Sequence, residues 1–126
     1  MIVTKKSHYP SLIKNQSGED IQELLGVQAG SVYSHSLAEI TIPPGKSSTP
    51  HYHKETEETY LILSGLASMV IDKEQLELEV GEAVLIEPME IHQISNQGND
   101  NLIFLAVCVP AWQAGDSFEA SSGLFG

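Results

Sequence analysis

Residues 45–65 read GKSSTPHYHKETEETYLILSG, and the spacing of the polar residues in this stretch decides the fold. His51 and His53 are two residues apart, so in an extended strand both imidazoles lie on the same face. Glu58 follows inside a run, TYLIL, that has the composition of a buried strand. A carboxylate that reaches the same point from the next strand completes three ligands of mixed nitrogen and oxygen type. Such a set suits a first-row divalent metal better than calcium or magnesium, which prefer oxygen.

A fourth candidate ligand lies in residues 81–96, which read GEAVLIEPMEIHQISN. His92 begins an alternating run in which Ile94 and Asn96 share its face. Three imidazoles and one carboxylate leave one or two positions open on a six-coordinate ion, and an open position separates a catalytic metal site from a structural one. Asn96 is roughly 13 Å along the strand from His92, at about 3.3 Å per residue, so we expect it to hydrogen-bond a turn.

These two stretches resemble the two sequence motifs of the cupin superfamily. The first motif is met without a gap by Gly45, His51, His53, Glu58 and Gly65. The second is met at its glycine, histidine and asparagine positions by Gly81, His92 and Asn96. Glu87 and Met89 stand at the proline and glycine positions of the second motif, with Pro88 between them. The resemblance covers roughly residues 30–110, which is most of the chain.

The resemblance implies an all-β fold, a double-stranded β-helix or jelly-roll barrel with the ligand site in its mouth. It also implies one divalent transition metal per chain (iron, manganese, nickel, copper or zinc), held by His51, His53, Glu58 and His92. Short apolar runs separated by Gly, Pro, Asn and Asp independently favour a barrel or sandwich. Cupin-like proteins often pair through an outer sheet, and Leu61, Leu63 and Phe104 are candidate contacts for such a homodimer.

Within one domain, we expect N-terminal strands or an arm over residues 1–30, the barrel over 31–110 and an extension over 111–126. The segment at 17–26 is open between one helical turn and a strand, and the cupin resemblance favours the strand. In the extension, Trp112 and Phe118 are expected to dock on the barrel, while the last residues are expected to be loose.

Several site residues have a second interpretation. Glu57 is a rival for Glu58, although counting back six residues from Gly65 selects Glu58. The two histidines of HYHKETEE are also compatible with a polar surface loop. Three further residues are candidates for the pocket lining, and ordinary barrel core is the alternative for them: Tyr60, Ile62 and Ile94.

The charge of the chain limits its partners. Six lysines stand against 17 acidic residues, for a formal charge of −11, so binding to nucleic acid or to an anionic membrane is not expected. Arginine is absent, and with it the bidentate clamp that holds phosphates and carboxylates. Lys46 and Lys54 flank the histidines and are interpreted as solvated loop residues. A small-molecule ligand remains the expected partner.

One cysteine, Cys108, rules out an intrachain disulfide and fits a reducing compartment. It lies in an apolar run, FLAVCV, where a cysteine is usually an inert small hydrophobic residue, and a position facing the metal cavity is the alternative. No stretch of eighteen apolar residues is present and the N-terminus does not resemble a signal peptide, so we expect a cytoplasmic protein.

The leading functional hypothesis is a metal-dependent enzyme that acts on a small organic molecule, with a dioxygenase favoured over an isomerase or a lyase. Glu58 is the one candidate catalytic residue, as a base that leaves the metal. The alternatives are a barrel that binds a small ligand without turnover and an accessory barrel with a structural metal. Solvent access and exchangeable ligands at the metal distinguish these hypotheses.

Overall fold

The computed structural model describes residues 1–8, 13–14, 18–30 and 34–120. Nearly all of its regular elements are strands, in two antiparallel sheets. The six-stranded sheet contains, in spatial order, β1 (Ile13–Lys14), β2 (Asp20–Leu25), β3 (Ser36–Ile42), β10 (Leu102–Val109), β5 (Glu57–Ser64) and β8 (Ala83–Ile86). The five-stranded sheet contains β11 (Phe118–Glu119), β4 (His51–Tyr52), β9 (His92–Ser95), β6 (Ala67–Ile71) and β7 (Glu74–Leu78). Two short 3-10 turns lie at Lys6–His8 and Ala114–Asp116.

The core fills the space between the two sheets, as strand alternation requires. On β5 and β10 every second residue is buried, so each strand has one face inside the barrel and one outside. Ile40 and Phe104 of the six-stranded sheet and Met69 and Ile94 of the five-stranded sheet belong to one cluster of buried residues. The predicted double-stranded jelly-roll barrel is therefore confirmed.

In the described part of the segment at 17–26, Asp20–Leu25 form a strand, as favoured above. β2 pairs with β3, with Ile21 opposite Ile40, so this part of the N-terminal segment belongs to the barrel sheet itself. Ile21 packs on the buried cluster, which explains why an apolar residue is found there. The looseness expected at the C-terminus concerns residues 121–126, which lie outside the described part of the chain.

One candidate contact of the expected homodimer is misplaced. Phe104 has 0% exposure and lies in the core, because it is on the inward face of β10. Leu63 is 42% exposed and Leu61 is partly exposed, so these two remain on the outside. The dimer itself stays a prediction. Among the described residues, no helix combines the length and the apolar character that crossing a membrane requires.

Two tight turns explain motif positions that are glycine in cupins. Gly65 has φ +89°, and a Cβ atom there would lie 2.8 Å from the backbone oxygen of Asn101. Met89, at a motif glycine position, also has a positive φ of 74°. Its amide donates a hydrogen bond of 2.7 Å to the carbonyl oxygen of His53, so the turn is kept although methionine tolerates it poorly.

Candidate metal centre

The four residues singled out by motif spacing lie together where the two sheets meet. His51 is on β4 and pairs directly with His92 on β9, while His53 follows the end of β4. Glu58 reaches the same point from β5 in the opposite sheet. One ligand atom from each of the four residues lies within 4.8 Å of the others. Glu57 is on the exposed face of β5 and takes no part in the cluster.

The loop at 45–48 sets the register that brings the histidines together. The Ser48 amide donates to the Ile94 carbonyl, and the Ser48 hydroxyl accepts from the Ile94 amide. Asn96 holds the other side, because its side-chain amide donates to the carbonyls of Ile42 and Asp100. The expectation that Asn96 supports a turn rather than a metal is therefore confirmed, and β9 is fixed beside β4.

All three imidazoles have the same tautomer when neutral. Nδ1 of His51 is 2.7 Å from the carbonyl oxygen of Thr49, and Nδ1 of His92 is 3.0 Å from that of Glu90. Nδ1 of His53 is 2.9 Å from the carbonyl oxygen of Asp116. A carbonyl oxygen can only accept, so each Nδ1 carries the proton and each Nε2 presents its lone pair. This arrangement orients metal-binding histidines.

The atoms that face the centre have no hydrogen-bond partner within the described protein. Nε2 of His53, Nε2 of His92 and Oε1 of Glu58 are buried and unpaired. Oε1 of Glu58 is 3.6 Å from Nε2 of His53 and 3.3 Å from Nε2 of His92. Neighbouring ligands of an ion with bonds of about 2.1 Å stand roughly 3 Å apart, so a small inward movement completes the coordination. The donor set fits a divalent transition metal.

The charges of the cluster support the same assignment. Burial would raise the pKa of Glu58, but the imidazoles of His53 and His92 beside its carboxylate hold this pKa well below its usual range. Burial would lower the pKa of His53, but the attraction of the Glu58 carboxylate is stronger than this effect, so the pKa of His53 is raised. Burial lowers the pKa of His51 to about 4, so this imidazole stays neutral. A metal ion bound here would therefore compete with a proton for Nε2 of His53.

Comparison with known proteins identifies the family. The profile of the cupin domain family matches residues 38–108, more than half of the chain. The protein is a cupin. An uncharacterized protein of Methanocaldococcus jannaschii is 34% identical over 102 residues, which are 81% of this chain and 82% of that protein.

A sequence match and a structure match of this cupin both come from Thermotoga maritima. An oxalate-binding protein is 29% identical over 113 residues, covering 86% of this chain and 93% of its own. The crystal structure of a predicted oxalate decarboxylase superposes with a TM-score of 0.72 at 28% identity, covering 86% of this chain and 99% of the other.

A cavity of about 480 Å³ opens beside the cluster in this cupin, a volume typical of small-molecule sites. His51, His53 and Glu58 form part of its wall, so the centre faces the cavity. The floor contains Ala38 and Ala106, which lie directly opposite each other on β3 and β10. Two small side chains side by side on the inward face leave the space that larger core residues would fill.

The predicted lining residues separate into two groups. Tyr60 is 2% exposed, lines the cavity and packs its ring 4.7 Å from that of Phe104. Ile62 and Ile94 are 1% and 0% exposed and lie in the hydrophobic core, not among the residues that line the cavity. Ile62 is two residues beyond Tyr60 on the same face of β5, where the strand faces the hydrophobic core instead of the cavity.

Carboxylates dominate the ionisable groups of the cavity wall. Beyond Glu58, the wall contains Glu19, Glu23 and Glu119. None of the lysines in the described part of the chain is among the lining residues; Lys46 and Lys54 are exposed. Nζ of Lys54 instead lies 4.5 Å from the ring centre of Phe118.

Asp116 is a functional residue that motif spacing misses. Its carbonyl holds His53, and its carboxylate accepts hydrogen bonds from the amides of Lys54, Glu55 and Thr56. The 3-10 turn Ala114–Asp116 and β11, together called the C-terminal strap, therefore lie beside the centre. Within this strap, β11 pairs with β4 at His51. The predicted docking of Phe118 is confirmed, because its ring stacks on Tyr52.

Cys108 contacts the cluster of candidate ligands, which motif spacing also does not indicate. It is buried, as expected, but it lies in the cavity wall and its thiol donates to Oε2 of Glu58 at 3.2 Å. Burial and the Glu58 carboxylate raise the pKa of the thiol, which therefore stays protonated and able to donate. The apolar run around Cys108 gave no signal of this contact, since it depends on which strand lies beside β10.

Proposed function

We propose that this cupin holds one divalent transition metal through His51, His53, His92 and Glu58 and turns over a small organic molecule at that centre. The convergence of three Nε2 lone pairs, each fixed by a bond from Nδ1 to a backbone carbonyl, carries the proposal. When bound, the metal supplies Lewis acidity or, as iron, copper or manganese, a place where substrate and dioxygen meet.

The exposure of the four residues supports catalysis rather than a structural metal. His53, Glu58 and His92 are at least 95% buried, whereas His51 is only partly buried and lies in the cavity wall. Three nitrogen ligands and one oxygen leave up to two positions of a six-coordinate ion, and these would face the cavity. A structural site would be closed by protein on all sides.

The charge of the cavity bears on the class of substrate. Glu19, Glu23 and Glu119 line the wall, and the chain has no arginine that could clamp an anion. A dianion would therefore have the metal as its only cation among the described lining residues. This favours a neutral or cationic molecule with an oxygen donor for the metal, and makes oxalate, named for one relative, a weaker candidate here.

Oxygenase chemistry is the reaction class that we favour. The wall beside the centre is partly apolar, with Ile21, Ile40 and Trp112, and would admit an organic molecule and dioxygen together. A relative described as a predicted oxalate decarboxylase supports a lyase as the rival reaction. Binding without turnover is the second candidate function, favoured by the relative described as an oxalate-binding protein.

Metal content tests the centre. Wild-type protein would be compared with His51→Ala and His92→Ala by elemental analysis after equilibration with each metal. His35→Ala is the matched control, because His35 lies outside the cluster. We expect about one ion per chain in the wild type and the control, and loss in the two cluster variants. Full occupancy in both cluster variants would refute the ligand assignment.

Turnover is tested on the loaded protein with neutral, cationic and anionic chelating molecules. Oxygen uptake with product formation supports an oxygenase, and carbon dioxide release without oxygen uptake supports a lyase. A change in the metal spectrum with neither supports binding alone. A centre whose spectrum responds to no added ligand would contradict both functions and indicate a structural metal.

A further inference from the structure

We propose that Cys108 is a positioning residue: its thiol holds Oε2 of Glu58, so that Glu58 meets the metal through Oε1 alone. The consequence is that two coordination positions, rather than one, stay open to a substrate. This role rests on the metal centre proposed above.

Cross-strand register places Cys108 beside Glu58. Ser36 on β3, Cys108 on β10 and Glu58 on β5 are direct partners across three neighbouring strands. All three side chains are on the inward face and are at least 95% buried. Neighbouring strands lie about 4.8 Å apart, so side chains in such a row touch one another.

Ser36 lies on the other side of Cys108 from Glu58. It is the direct partner of Cys108 on β3, and its hydroxyl oxygen accepts a hydrogen bond of 3.0 Å from the Trp112 amide. The row therefore links the C-terminal strap to the carboxylate of the centre. Val107 and Val109, the neighbours of Cys108 along β10, point outward and take no part in it.

The two oxygens of Glu58 have different partners. Oε1 faces Nε2 of His53 and Nε2 of His92, whereas Oε2 accepts the thiol hydrogen of Cys108 at 3.2 Å. A carboxylate that binds a metal through both oxygens must turn both towards the ion. The thiol opposes that rotation, because it would lose its acceptor inside a buried site.

Loading with Co²⁺ makes the number of open positions measurable. Wild type, Cys108→Ala and Cys108→Ser would be titrated with oxalate, a two-donor probe, and with azide, a one-donor probe. We expect Cys108→Ala to keep the metal but to bind oxalate about tenfold more weakly, the lower end of effects seen for groups behind metal ligands. Azide affinity should change much less, and Cys108→Ser should restore oxalate binding because serine also donates.

A second readout counts water directly. Line broadening of Mn²⁺ by ¹⁷O-labelled water should indicate one exchangeable water fewer in Cys108→Ala than in wild type. Val107→Ala, on the opposite face of β10, controls for a general disturbance of the strand. Ser36→Ala tests the same row of side chains if Cys108→Ala fails to fold, because Ser36 packs beside Cys108, and it should show a weaker loss of oxalate affinity.

The outcomes separate this role from the centre itself. The role of Cys108 would be overturned if Cys108→Ala keeps the metal and matches wild type both in the ratio of its affinities for oxalate and azide and in the number of exchangeable waters. That result would leave the centre itself intact. A wild-type protein that binds no metal would overturn both. Failure of Cys108→Ser to recover oxalate binding would show that the hydrogen bond is not what positions Glu58.

Discussion

The carboxylate of Asp116 offers the sharpest test of how the metal centre is held. It accepts hydrogen bonds from three consecutive backbone amides, those of Lys54, Glu55 and Thr56, at 3.0–3.2 Å. The carbonyl of the same residue holds Nδ1 of His53. Asp116→Ala removes the carboxylate and keeps the carbonyl, so it asks whether the side chain secures the strap.

The expected loss follows from the number of donors and their exposure. A buried hydrogen bond to a charged group contributes about 1.5–3 kcal/mol, and loss of a comparable helix cap costs about 1 kcal/mol. Asp116 is only partly buried, so solvent weakens each bond and we expect about 2 kcal/mol in total. With about 2.1 cal/mol/K of unfolding entropy per residue, that corresponds to a melting temperature about 8 °C lower for 126 residues.

Thermal unfolding of the metal-free protein and titration with Zn²⁺ are the measurements. We expect about tenfold weaker metal binding in Asp116→Ala, since the backbone carbonyl that orients His53 is then no longer held in place by the carboxylate. Asp116→Asn should be intermediate, because an amide oxygen still accepts but carries no charge. Asp100→Ala is the control, since Asp100 is exposed in a turn. An unchanged melting temperature and metal affinity in Asp116→Ala would refute the strap.

Three further predictions concern turns and a buried acid. We expect Gly45→Ala to destabilise the protein by about 1 kcal/mol, because Gly45 has a positive φ. Gly65→Ala should destabilise it more, because Gly65 has a positive φ and also abuts the backbone of Asn101. Equal melting temperatures of the two variants would contradict this. Met89→Gly should stabilise by about 0.5 kcal/mol, since Met89 is 58% exposed and strained, and a lower denaturation midpoint would count against it. Burial raises the pKa of Glu23, so its contribution to stability is full below its ordinary pKa of 4.5 and is lost as pH rises through the folded value. The melting temperature of Glu23→Gln minus that of wild type should therefore increase between pH 4 and pH 7, and a constant difference would be evidence against it.

Short apolar runs separated by turn residues carried most of the fold prediction. The runs TYLIL around Tyr60 and LIFLAVCV around Phe104 are continuously apolar, so the sequence indicates buried strands there, and only the structure shows which side chains face inward. The segment at 17–26 was open between helix and strand because its local pattern is weak. Pairing with β3, a non-local interaction, makes Asp20–Leu25 a strand.

Motif spacing brought His51, His53, Glu58 and His92 to attention, and the structure places these four together. The sequence by itself determined this grouping because the first three are close along the chain and the fourth lies on an alternating strand. Only the tertiary structure decided what surrounds them. Asp116 and Cys108 are 63 and 50 residues from their partners His53 and Glu58, and no local pattern encodes the register that joins them. That register also sends Phe104 into the core and leaves the alanine floor of the cavity, since packing across strands, not sequence period, sets depth in a barrel.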